Sequence, residues 1–177
     1  MQSTKNVTAT MRKQSLLILS LFLTGKIMLA QDVMKVQSGA VITVQNGAEL
    51  VVKGGISLDN GSTLNNAGTI RMSQNGAAGT ADWTDNTVTG YNYGTGKVIF
   101  NGNGGHLTNS KNTFGQIDID ASGHVTLGSD VQANKWYLKN GRLNTTGSYK
   151  AIVLSSDQLA VEADPANTNF SNSWING

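Results

Sequence analysis

The sequence predicts an all-β fold, a right-handed parallel β-helix (solenoid) of short strands that follows an N-terminal signal helix. Three observations carry this: apolar or β-branched runs only three to five residues long, Gly and Asn at almost every gap between them, and repeats that run in the same sense.

The leader comes first in chain order. Met11-Arg12-Lys13 makes a charged start, Ser15 to Thr24 is an apolar stretch, and Met28-Leu29-Ala30-Gln31 has the form of a cleavage junction, so 11–30 reads as a signal peptide. Met1 to Thr10 is polar, whereas an n-region normally sits directly against its apolar segment. The start is therefore expected at Met11, with 1–10 a misassigned extension. The apolar run is about half of the ~20 residues a spanning helix needs, and Lys26 interrupts its continuation, so no membrane span is expected once the leader is gone.

Removing the leader reverses the charge balance. Lys5, Arg12, Lys13 and Lys26 are all basic, which leaves 13 − 4 = 9 basic against 11 acidic residues, a net charge near −2. No Lys/Arg cluster remains to track a phosphate backbone, so no nucleic-acid partner is expected. The absence of cysteine closes the lipoprotein route to the membrane and excludes disulfides. Stability must come from apolar packing and stacked hydrogen bonds.

From Gln31 onward no stretch of ten or more residues has apolar side chains at helical spacing. Strand segments are instead predicted at Val41 to Val44, Leu50 to Val52, Ile56 to Leu58, Val98 to Phe100, Ile117 to Ile119, Val125 to Leu127, Trp136 to Leu138 and Ile152 to Leu154. Between them lie 20 Gly and 18 Asn, both tolerant of the left-handed backbone that sharp corners need. An Asn-Gly pair is also the best short signal for an antiparallel hairpin, and Val41 to Val52 would make one. Repetition in one sense points the other way. Gln45-Asn46-Gly47-Ala48-Glu49-Leu50 is echoed by Asp59-Asn60-Gly61-Ser62-Thr63-Leu64 and more loosely by Lys139-Asn140-Gly141-Arg142-Leu143, and a translational repeat stacks like on like.

A longer period is visible in the second half. Ile117 and Trp136 are 19 apart, and Val125, Leu143 and Val161 advance by 18, about one coil of two or three strands. Residues 31–163 would then hold about five to seven coils, above the minimum of three that stacked repeats require. Ala77 to Tyr93 breaks the rhythm and reads as a loop or irregular coil projecting from the stack. Asp164-Pro165 opens a tail, 164–177, in which Phe170, Trp174 and Ile175 stand among polar residues. With no polar cap in view, the chain is expected to continue into further domains of a longer protein.

The leader ending in Ala30-Gln31, the Gly-Ala and Gly-Ser repeats, the spacing from Val98-Ile99-Phe100 to Ile117-Asp118-Ile119 to Val125-Thr126-Leu127, and the closing Ser173-Trp174-Ile175-Asn176-Gly177 form one pattern. It resembles the N-terminal β-helical region of large secreted surface proteins of Bacteroidota, many of which end in a type IX secretion sorting domain. The resemblance implies a pectin-lyase-like β-helix, secreted or on the outer cell surface, and no single activity.

Candidate chemistry is sparse. Asp118 and Asp120 alternate with Ile117 and Ile119, so a strand puts both carboxylates on one outward face about 7 Å apart, with Lys135 or Lys139 near on the next coil. They are the candidate metal residues, although a hard cation wants six or more oxygens and a solvated face explains them too. Trp83, Tyr91 and Tyr93, beside Asp82, Asp85 and Asn92, are the candidate carbohydrate-binding residues: flat rings can stack on sugars, and burial under a loop is their other explanation. Gly94-Thr95-Gly96-Lys97 lacks the spacing and hydroxyl of a phosphate loop. His106 and His124 have no second ligand at zinc spacing. No catalytic residue and no cofactor is expected. The expected function is a structural or adhesive module of a surface protein, with glycans or extracellular surface components as partners. The alternatives are a non-catalytic or incomplete part of a polysaccharide lyase or hydrolase, or a carbohydrate-binding module.

Overall fold

The computed structural model describes residues 33–73, 81–109, 112–163 and 173–176. The expected leader, residues 77–80 of the expected loop, and the tail up to Asn172 lie outside the described residues.

The first coil shows how the chain turns. Strands β1 (Val33–Val36), β2 (Val41–Val44) and β3 (Glu49–Lys53) are joined by the four-residue corners Gln37–Ala40 and Gln45–Ala48. In each corner the last N–H donates to the first carbonyl at 3.0 Å. Gly39 and Gly47 stand at φ 81° and 79° while the residue before each keeps a negative φ. That is the φ signature of a type II turn; a hairpin of type I′ needs both central residues at positive φ. The corner at Asn46-Gly47 therefore does not fold β3 back onto β2.

Each strand instead pairs with its counterpart one coil on. In the second coil, β4 (Gly55–Leu58), β5 (Thr63–Asn66) and β6 (Thr69–Ser73) lie parallel to β1, β2 and β3. The third coil continues with β7 (Trp83–Asp85), β8 (Tyr91–Asn92) and the start of β9 (Lys97–Asn109). Strands β9, β10 (Thr113–Leu127) and β11 (Val131–Asn144) run unbroken through a corner, so each serves more than one face. The last rungs are β12 (Ala151–Val153), β13 (Val161–Ala163) and β14 (Ser173–Asn176), all laid parallel on β11. The described part is a β-solenoid of about six turns with no helix.

Three faces result. The first holds β1, β4, β7, the later halves of β9, β10 and β11, and β14. On the second are β2, β5 and β8, followed by the opening residues of β10 and β11 and then β12. The third holds β3, β6, the opening of β9, the middle of β10 and β11, and β13. Its period-2 alternation aligns two apolar columns. Leu50, Ile70, Val98, Ile117, Trp136 and Val161 are in register, as are Val52, Met72, Phe100, Ile119, Leu138 and Ala163. From Ile70 through Trp136, and from Val52 through Leu138, these side chains are at most 6% exposed. At about 25 cal/mol per Å² of buried apolar area, such columns are the main source of stability in a fold without disulfides.

Several expectations are corrected by the register. Ile117 meets Trp136 and Val125 meets Leu143, as the 19 and 18 spacings predict. Val161, however, lies on Trp136 and not on Leu143, whose neighbour is Ile175. The Asn-Gly echoes do not stack like on like: Gly61 lies over Gly39, with the Gly39 N–H donating to its carbonyl at 2.9 Å, while Gly47 belongs to a different corner of the same coil. They recur because each corner poses the same backbone problem. Ala77 to Tyr93 does not project as a whole, since β7 and β8 are ordinary rungs whose brevity hides their alternation. The tail also contributes a rung, so the solenoid does not stop at Ala163.

Candidate functional site

Outward alternation places Asp118 and Asp120 on the third face, as expected, but both are already engaged. Lys97 Nζ lies 3.5 Å from Asp118 Oδ2, and Gln116 Nε2 donates to Asp118 Oδ1 at 2.6 Å. Lys139 Nζ lies 3.1 Å from Asp120 Oδ2, which also faces the Asn101 amide at 3.4 Å. A hard cation collects oxygens, and these carboxylates face nitrogen donors. Among the described residues no three His, Asp or Glu side chains are grouped to hold a metal.

The neighbouring ions complete a ladder. Arg71 Nε lies 2.6 Å from Glu49 Oε1 in the first two coils, and Lys135 Nζ lies 2.5 Å from Glu162 Oε2 in the last two. The hydrogen bond from Lys135 to Glu162 raises the lysine pKa above its ordinary 10.5. A raised lysine pKa stabilises the fold fully below the unfolded value, and that contribution vanishes as pH rises through the folded one. Glu162→Gln is expected to cost no more than about 1 kcal/mol at neutral pH, because the pair is about one-third exposed and screened. Chemical denaturation of both forms should show the difference closing above pH 10.5.

The aromatic candidates separate. Trp83 and Tyr91 are 0% and 4% exposed and form a trio with Phe114, with ring centroids 5.0 to 5.2 Å apart. Edge and tilted contacts of this kind are core packing, and neither ring presents a face to a sugar. Burial pushes the Tyr91 hydroxyl pKa well above its ordinary value. Its oxygen accepts a hydrogen bond from the buried Asn66 amide at 3.4 Å. Tyr93 alone of the three is half-buried, and it lines an open groove of about 580 Å³ with Val88, Thr89, Asn92, Asn112 and Thr113, to which the buried Tyr91 also contributes.

Beneath that groove lies a polar network that the sequence reading missed. Asp85 is 1% exposed and accepts from the Thr87 N–H at 2.8 Å, the Thr87 hydroxyl at 2.6 Å and the Asn112 amide at 2.5 Å. Asn112 Nδ2 also lies 2.9 Å from Thr87 Oγ1, which ties the third coil to the fourth. The Asp-x-Thr spacing is the one local signal for it, a side chain capping the backbone two residues on.

The two histidines sit on the outer side of the first face. His106 is held by Asp82, whose Oδ1 accepts the His106 backbone N–H at 2.9 Å and lies 3.1 Å from Nδ1. His124 lines a notch of about 390 Å³ with Ser122, Gly123, Asn140 and Arg142. Gly94 and Gly96 belong to an ordinary corner, closed by the Gly96 N–H donating to the Tyr93 carbonyl at 2.7 Å.

No protein-family model matches the chain, and no curated protein or solved structure matches it either. The architecture of this molecule is that of a parallel β-solenoid.

Proposed function

We propose that this chain is a structural or adhesive module of an exported cell-surface protein, with the solenoid acting as a stiff scaffold and its outer faces meeting glycans or other extracellular components. The observation that supports this most is the pair of apolar columns in register through six rungs, buried from Ile70 to Trp136 and from Val52 to Leu138 and bound along the stack by parallel ladders. At about 4.8 Å per rung, six turns make a rod of roughly 30 Å. A Bacteroidota surface protein of the pectin-lyase-like type, delivered by type IX secretion, is the specific form of this proposal. It rests on the leader pattern and the glycine rhythm.

Two measurements test it. Expressed in a Bacteroidota host, the protein should reach the cell exterior with Gln31 at its N-terminus by mass spectrometry; a product retained in the cytoplasm with its leader intact would overturn export. The purified protein should be held by at least one component of a matrix and polysaccharide array, and a blank array would overturn adhesion.

A carbohydrate-binding module is the second reading, favoured by the groove beside Tyr93. Tyr93→Ala should then abolish retention on the array without moving the unfolding midpoint. A polysaccharide-cleaving enzyme would instead give steady release of unsaturated products in calcium, removed by Asp118→Ala.

A further inference from the structure

The corner between the third and first faces differs from the others. In three successive coils it is crossed by the unbroken strands β9, β10 and β11, with register shifts near Asp120 and Ala121 that absorb the bend. Glycine is needed there for packing reasons: a Cβ at Gly104 would lie 2.7 Å from the carbonyl oxygen of His124 on the next strand. On the outer side of this corner lies the notch of Ser122, Gly123, His124, Asn140 and Arg142.

The donors around it are brought together by register. His124 is aligned with Arg142 on the next strand and with Gly104 on the previous one. Adjacent strands lie about 4.8 Å apart, so the imidazole and guanidinium rise side by side within reach of one small ion. Both residues are exposed, and Asn140 adds an amide. The nearest carboxylate in register, Asp120, is bound to Lys139 and Asn101. Beyond the notch, His106, Thr126 and Asn144 form a second row in register along the first face, a polar track for a ligand longer than one group.

We propose that this notch binds an oxyanion, a carboxylate or a sulfate, carried on an extended acidic polysaccharide. A planar guanidinium meets either group through two parallel N–H donors, and the neighbouring imidazole and amide supply the rest. The choice of a polysaccharide as carrier rests on the extracellular reading above; the anion chemistry does not. Asp82, the carboxylate on this track, is bound to His106.

The test uses three matrices with one backbone: neutral dextran, carboxymethyl dextran and dextran sulfate. Wild-type protein should be retained by one or both anionic matrices and not by the neutral one, and the pattern identifies carboxylate or sulfate. Arg142→Gln should weaken retention by about tenfold or more, and Arg142→Lys by less, because it keeps the charge and loses the fork. Lys53→Gln removes an equal charge from an exposed position on the third face and should change nothing. On adding the soluble anionic polymer, wild-type amide signals should shift at 122–124 and 140–142. Absence of retention on both anionic matrices, equal losses from Lys53→Gln and Arg142→Gln, or shifts confined to other residues would overturn the notch. None of those outcomes touches the export test.

Discussion

Trp83→Ala is expected to cost about 3 to 5 kcal/mol of stability, the range for deleting a large aromatic from a core that cannot collapse around the void. Trp83 lies in register between Ile56 and Leu107 and touches Tyr91 and Phe114 edge-on, so three coils lose a common neighbour at once. Its indole N–H is buried and makes no hydrogen bond among the described residues, so the ring acts through packing alone. Trp83→Phe should therefore cost clearly less. Chemical denaturation followed by far-UV circular dichroism checks both. The same pair separates two readings of this residue: a sugar-stacking tryptophan would leave the midpoint in place and lose only glycan retention.

A second large effect is expected at Gly141, where two costs coincide. Its φ of 99° is a conformation that side chains rarely adopt, and an added methyl would run into the Ala121 carbonyl and approach the Gly123 carbonyl oxygen at 2.9 Å. Strained backbone and overpacking against a fixed neighbouring strand each cost about 1 to 3 kcal/mol, so Gly141→Ala should lose about 3 to 5 kcal/mol. Gly147 supplies the internal control. It also has positive φ, 70°, but open space where a methyl would go. Gly147→Ala should cost only about 1 kcal/mol, and equal losses at the two sites would show that crowding by the adjacent coil is unimportant.

These residues mark where the sequence was readable. Ile117 to Ile119 and Trp136 to Leu138 were recognisable as strands because alternation is a local property, and their spacing of 19 gave the true register. The segment Asn101 to Asn109 was not, since its asparagines and glycines read as corner punctuation and yet lie within β9. Parallel neighbours on both sides supply the hydrogen bonds that impose extension there. Trp83 and Tyr91 were misjudged as part of a projection because a rung of two or three residues is too short to display alternation. The buried roles of Asn66 and Asn112 were missed because their partners lie 25 to 31 residues away.

By itself the sequence determined the class of fold: brief apolar runs and residues tolerant of left-handed corners permit a chain that turns constantly and stacks in one direction. The tertiary structure decided which rung lies on which. Val41 meets Thr63 after 22 residues, Leu64 meets Tyr91 after 27, and Leu143 meets Ile175 after 32. Corners of different length can be inserted without disturbing the ladder, because only the ends of each strand must align with the coil beneath. Register is therefore set by pairing across coils, and so is every juxtaposition that depends on it, from Lys97 beside Asp118 to His124 beside Arg142.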